Sequence, residues 1–112
     1  HCDGSTSSSL SGTHSFYYRA FSKPLAESIH KELVSAYRNT IYAPDTKAWQ
    51  SADRGVKFKP FNVTRIEECP AVLIEFGFLT NASDCNVLIN PQYQEVLAKA
   101  AVKGIENYVL KQ

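Results

Sequence analysis

The stretch from Pro70 to Asn81 constrains the fold more than any other: Pro-Ala-Val-Leu-Ile-Glu-Phe-Gly-Phe-Leu-Thr-Asn is the most apolar run in the chain and carries one carboxylate, Glu75, in its middle. Such a run, bounded by Pro and by Thr-Asn, reads as a strand covered on both faces, as at the centre of an α/β sheet. An ionised carboxylate is rarely buried without a partner. Glu75 therefore lies at the open end of the strand, or meets a cation, a metal or a metal-bound water. The structural alternative is an ion pair with Arg54 or Arg65. Gly77 weakens the strand, which marks a bulge or a close approach to the backbone, with the metal site or substrate as the expected visitor.

At 112 residues, with 44% hydrophobic and 21% charged, the chain can bury one core of its own. No stretch is long enough to span a membrane. A formal charge of +1 offers no electrostatic case for nucleic acid or an anionic membrane. Cys2, Cys69 and Cys85 are odd in number and lack C-x-x-C spacing, which argues against a disulfide framework and a cysteine-built zinc site.

Taken in order, His1-Cys2-Asp3-Gly4 lacks the features of a signal peptide and reads as the interior of a longer chain. A serine-rich loop leads to an aromatic strand over 15–19, on which His14, Phe16 and Tyr18 share one side. A helix is predicted from about Lys23 to Arg38, capped by Ser22, with Pro24 in its first turn. Leu25, Ile29, Leu33, Ala36 and Tyr37 form its apolar stripe, and His30 beside the stripe reads as a solvated surface residue. Residues 39–54 read as an irregular loop with a Pro44-Asp45 turn, in which Tyr42 and Trp49 either tuck under the loop or form a ligand platform. Residues 56–59 alternate as an edge strand stopped by Pro60, and 61–66 are a second strand candidate. Glu67 and Glu68 point opposite ways on an extended chain, hence a solvated turn. Asn81 caps a helix through Leu88, and Asn90-Pro91 opens the last helix, striped by Tyr93, Val96, Leu97, Ala100, Ala101, Ile105, Tyr108 and Val109. Amphipathic helices flanking a buried strand give an α/β architecture.

Read together, His1-Cys2-Asp3, Gly12-Thr13-His14-Ser15-Phe16-Tyr17-Tyr18, Asp53-Arg54-Gly55-Val56-Lys57 and the Pro70–Asn81 run resemble the zinc-dependent N-acetylmuramoyl-L-alanine amidases of type 3. The last block is the most specific, matching Pro-Ala-Val-Leu-(Val/Ile)-Glu-x-Gly-Phe-Leu-(Ser/Thr)-Asn in order and spacing. The resemblance implies a twisted, mostly parallel sheet flanked by helices. It also implies that residues 1–112 are the C-terminal portion of one catalytic domain whose N-terminal part, with a His and a Glu ligand, lies upstream.

The activity implied is cleavage of the amide between N-acetylmuramic acid and L-alanine in peptidoglycan, at the bacterial cell wall, by a secreted autolysin or a phage-encoded endolysin. His1 matches a zinc ligand and Glu75 the catalytic carboxylate, whose general acid/base role beside a zinc-activated water also explains a Glu in an apolar strand. His14 matches a variable position, with a metal role conceivable from its proximity to His1, and Arg65 reads as structural. With one of three ligands, the 112 residues alone are expected to be inactive. The rival readings are a non-catalytic cell-wall binding module and another zinc peptidase or amidase on a related sheet.

Overall fold

The computed structural model describes residues 1–111. Its sheet has three strands, β1 (Thr13–Tyr17), β2 (Asp53–Phe58) and β3 (Leu73–Glu75), in the order β2-β1-β3. The β1–β2 pair is parallel and the β1–β3 pair antiparallel, so this sheet is mixed, not mostly parallel. The helices are α1 (Lys23–Ala36), α2 (Lys47–Gln50), α3 (Ala82–Leu88) and α4 (Pro91–Leu110). The α/β character and the edge position of β2 follow the sequence reading.

The apolar run contributes only three residues to the sheet. Its outer side is covered by the first residues of the chain. The amine of His1 donates to the Ile74 carbonyl at 2.9 Å and the Phe76 N–H to the His1 carbonyl at 3.0 Å. Two further bonds, Asp3 N–H to Gly77 O at 2.8 Å and Leu79 N–H to Asp3 O at 2.9 Å, resume the parallel pairing one residue out of register, with Asp3 opposite Phe78. Backbone on both flanks of β3 thus satisfies the groups that an apolar strand cannot leave bare.

Register sorts the two faces. Ser15 pairs with Ile74, and Ile74 packs on the core of Ile29, Leu33, Tyr37, Ala52, Val87, Leu97 and Ala100. His14 pairs with Glu75 and Phe16 with Leu73 on the opposite face. Alternation along the strands therefore sends Ser15 and Ile74 toward α1, and His14 and Glu75, with Phe16 and Leu73, to the other face.

Asn81 accepts from Asp84 N–H at 3.1 Å and Asn90 from Gln92 N–H at 2.9 Å, so the caps of α3 and α4 form as expected. Ser22 does not cap α1. It ends a 3₁₀ turn (Ala20–Ser22), and its hydroxyl accepts from Ala71 N–H at 3.0 Å, tying the start of α1 to the apolar run. Residues 61–66 form no strand: Thr64 Oγ1 donates to the carbonyls of Lys59 and Phe61 and closes a 3₁₀ turn at Asn62–Thr64. The stretch read as one loop holds α2, capped by Thr46, and a π turn at Tyr37–Ile41. That turn's wider bond, Tyr42 N–H to Tyr37 O at 2.8 Å, lets the two rings stack at 5.3 Å.

His30 is buried, not solvated: its Nε2 lies 2.7 Å from Asp53 Oδ1, so β2 covers that side of α1. Helix α4 packs along α1 with Gly104 at the crossing, where Ser28 Oγ donates to Gly104 O at 2.7 Å. Leu97, Ala100 and Gly104 are buried, whereas Ile105 and Val109 of the expected stripe are 45% and 59% exposed. The apolar stripe therefore meets α1 over only part of its length.

Candidate active site

Parallel pairing sets His1 directly across from Glu75, and antiparallel pairing sets His14 on the other side of the same residue. Paired residues project from one face. The first residues of the chain, β3 and β1 thus present His1, Glu75 and His14 side by side, away from the helices. Cys2 points the other way, into an apolar depression of about 320 Å³ lined by Phe76, Leu88 and Leu97.

Among the described residues Glu75 has no ion-pair partner. Arg54 lies over the Phe78 ring at 5.0 Å, and Arg65 Nε donates to Pro60 O at 3.1 Å, a structural tie as the sequence suggests. Glu75 Oε2 is buried with no hydrogen-bond partner. Burial, followed by the carboxylate of Asp3, pushes the Glu75 pKa up. This is a carboxyl group with a free oxygen and a raised proton affinity. Such a group suits proton transfer better than a structural ion pair does. The His1 imidazole is exposed and has no hydrogen-bond partner among the described residues, which leaves its nitrogens open for a ligand.

His14 is not open in that way. Its Nε2 is 2.9 Å from Asp3 Oδ2 and its Nδ1 3.3 Å from Lys57 Nζ. The ammonium can only donate, so Nδ1 accepts and Nε2–H donates to Asp3, the neutral tautomer. The lowered His14 pKa agrees: burial pulls it down, Asp3 resists, and the Lys57 and Arg54 charges add to the fall. His14 therefore holds Asp3, and through it the residues that carry His1. Asp3 had no signal of its own in the sequence beyond its place next to His1-Cys2.

Asp84 was legible only as a charge near a helix start, yet it is fully buried. Its Oδ2 accepts from Gly12 N–H at 2.8 Å and Phe78 N–H at 3.0 Å, and its Oδ1 from Tyr42 OH at 2.7 Å. Tyr37 OH donates to Phe76 O at 2.6 Å. These groups clamp the backbone just past Glu75. Burial first, and Asp84 next to it, raise the pKa values of both tyrosines, which stay protonated donors.

Gly77 lies inside the clamp: an added Cβ would sit 3.1 Å from Asp84 Oδ2 and 3.3 Å from Tyr37 OH. The close approach read from the sequence is made by Asp84 and Tyr37, not from the face that carries Glu75 and His14. Gly77→Val is accordingly expected to lower stability by about 1–3 kcal/mol through overpacking. Urea denaturation checks this; wild-type stability in the variant would contradict the clamp.

Tyr42 and Trp49 are tied into the fold, Trp49 through its Nε1–H to Arg38 O at 3.0 Å and the Arg38 guanidinium 5.0 Å over its ring. Glu67 and Glu68 are exposed, with Glu67 paired to Arg19. Among the described residues no group of three or more His, Cys, Asp or Glu is arranged to hold a metal. None of their helices is long and apolar enough to cross a membrane.

The family profile described as N-acetylmuramoyl-L-alanine amidase matches residues 1–107. The chain is 36% identical over 104 residues to the YqiI protein of Bacillus subtilis strain 168, covering 89% of this chain and 45% of that protein. It is 34% identical over 112 residues to the N-acetylmuramoyl-L-alanine amidase LytC of the same strain, covering 96% of this chain and 20% of LytC. The fold matches the catalytic domain of CwlV, an N-acetylmuramoyl-L-alanine amidase from Bacillus (Paenibacillus) polymyxa var. colistinus, with a TM-score of 0.81 and 32% identity, over 97% of this chain and 54% of CwlV's. The chain thus spans less than half the length of these curated relatives and about half of the solved catalytic domain. A profile match over nearly its whole length, carried by a fold that sets Glu75 between two histidines, means that the chain belongs to the type 3 N-acetylmuramoyl-L-alanine amidase family.

Proposed function

We propose that the chain is the C-terminal portion of a zinc-dependent catalytic domain that cleaves the amide between N-acetylmuramic acid and L-alanine in peptidoglycan, with Glu75 as general acid/base and His1 as a metal ligand. The observation that carries the reading is the unsatisfied, buried Oε2 of Glu75 directly across the ladder from a free imidazole.

The residues present fit a zinc centre in part. His1 would hold the ion; catalytic zinc normally takes three protein ligands, so the other two would come from outside the 112 residues. On this reading the 112-residue chain alone is inactive. The chemistry that zinc supplies in such sites is acidification of water and polarisation of a carbonyl.

Glu75 does the rest of the proton work. Its Oε2 takes one proton from water as the water oxygen adds to the lactyl carbonyl carbon. When the C–N bond breaks, the same oxygen returns that proton to the alanine nitrogen. The products are a muramic carboxylic acid and a peptide with a free L-alanine amine. The raised pKa makes the Glu75 carboxylate a better proton acceptor than an ordinary exposed one. His14 and Asp3 position the two reacting groups by holding residues 1–3 against β3.

The substrate places the action at the bacterial cell wall, as a secreted autolysin or a phage-encoded endolysin. Digestion of purified peptidoglycan by the full-length protein tests the reading. New L-alanine amino termini without new reducing sugar ends are expected. Amino termini of any other residue would point to a peptidase, and no new termini to a binding module.

A further inference from the structure

Strand β2 carries Arg54 and Lys57, with Lys59 just past its end, and a regular strand would send Arg54 and Lys57 to opposite faces because their spacing is odd. The structure does otherwise. Thr13 pairs with Asp53 and Ser15 with Val56, so His14 alone faces both Arg54 and Gly55. Gly55 has φ +83°, a conformation open to glycine, and it supplies the extra residue of this bulge. Val56 keeps its place on the core side, and Arg54 comes round to the face of Lys57, His14 and Glu75.

The result is a row of like charges on a chain whose formal net charge is only +1. None of the three makes an ion pair among the described residues. Lys59 sits 5.1 Å from the Phe61 ring, and Lys57 reaches only the neutral His14. Arg54 Nε is buried with no hydrogen-bond partner, a desolvated donor that the fold leaves unanswered. Burial, then Arg54, lowers the Lys57 pKa, and the nearby Asp3 carboxylate, already bonded to His14, only partly opposes the fall.

We propose that Arg54 and Lys57, brought to one face by the Gly55 bulge, form a subsite for a carboxylate on the peptide part of the substrate. The proposal rests on the amidase reading for its substrate. Guanidinium offers the paired N–H geometry that a carboxylate accepts, and Lys57 adds a point charge at the open edge. Strands β2 and β3 are two spacings apart, about 10 Å. At roughly 3.3–3.6 Å per extended residue, the acid belongs on the second or third residue beyond the cleaved bond.

The test uses the full-length protein and two probes: a muramoyl tripeptide with free carboxylates on its second and third residues, and the same peptide with both as carboxamides. Binding is measured by calorimetry and hydrolysis as kcat/KM. The free acid should be preferred roughly tenfold, mainly in KM, and less at high salt. Arg54→Gln with Lys57→Gln should bring that ratio close to one, and Lys57→Gln alone, at an exposed position, should reduce it partway. Lys99→Gln on α4, which removes the same charge elsewhere, should keep it. A preference that survives Lys57→Gln and the double change, or its absence in the wild type, overturns the subsite. Preferential binding of the acid with no cleavage of either probe would uphold the subsite and defeat the amidase reading; equal cleavage of both would do the reverse.

Discussion

Glu75→Gln should lower peptidoglycan turnover by the full-length protein by about 10²–10⁴-fold, the usual worth of a positioned proton-transfer group, and by more if the same oxygen orients the water. Gln keeps the size and the hydrogen-bonding reach of Glu but cannot accept a proton. Among the described residues the side chain has no ion-pair partner and its Oε2 no hydrogen bond, so the substitution breaks neither there. The melting temperature should therefore stay near that of the wild type. Full turnover in the variant would remove Glu75 from the chemistry.

Gly104→Ala should unfold the domain at markedly lower temperature, although Ala favours an exposed helix interior by about 1 kcal/mol over Gly. Location decides the sign. A Cβ at Gly104 would collide with the Ile29 Cα and stand 2.9 Å from both Ile29 N and Ser28 O, all backbone atoms of α1. Backbone cannot swing away as a side chain can, so α4 must lift off α1. That movement also breaks the bond from Ser28 Oγ to Gly104 O and loosens the burial of Ile29. Overpacking of this kind costs about 3 kcal/mol, well beyond the gain in propensity. For a domain of this size the shift is on the order of 10–20 °C in thermal denaturation. A more stable variant would show that the helices do not touch there.

Gly104 also shows where reading the chain by local rules stops. Propensity treats it as a flaw in a helix, and only the crossing with α1 reveals what it permits. Local signals did locate α1, α3 and α4 and the Asn caps, because periodicity and capping act within a few residues. They overestimated β3, since an apolar run says that a segment is covered and not how many of its residues join a ladder. His30 was misread for a related reason: it flanks the α1 stripe, and the neighbour that buries it, Asp53, comes from another strand.

At the site, Glu75 stood out because a carboxylate in an apolar run is a local contradiction, and the resemblance supplied the role of His1. Asp3, Arg54, Lys57 and Asp84 gave no such contradiction. Decisive partners lie far off in the chain: Asp3 meets His14 11 positions on, Lys57 meets His14 43 positions back, and Asp84 holds Gly12 72 positions back. The Gly55 bulge, which moves Arg54 to the active face, depends on a register that only the folded sheet defines.

The proposed division of labour across one ladder has His1 holding the metal and Glu75 moving the proton. The most direct measurement is the zinc content of the full-length wild type, His1→Ala and Glu75→Gln, purified side by side and assayed by atomic emission. One zinc per wild-type molecule is expected, most of it lost from His1→Ala and nearly all of it kept in Glu75→Gln. Zinc lost from Glu75→Gln, or retained in full by His1→Ala, would contradict that division.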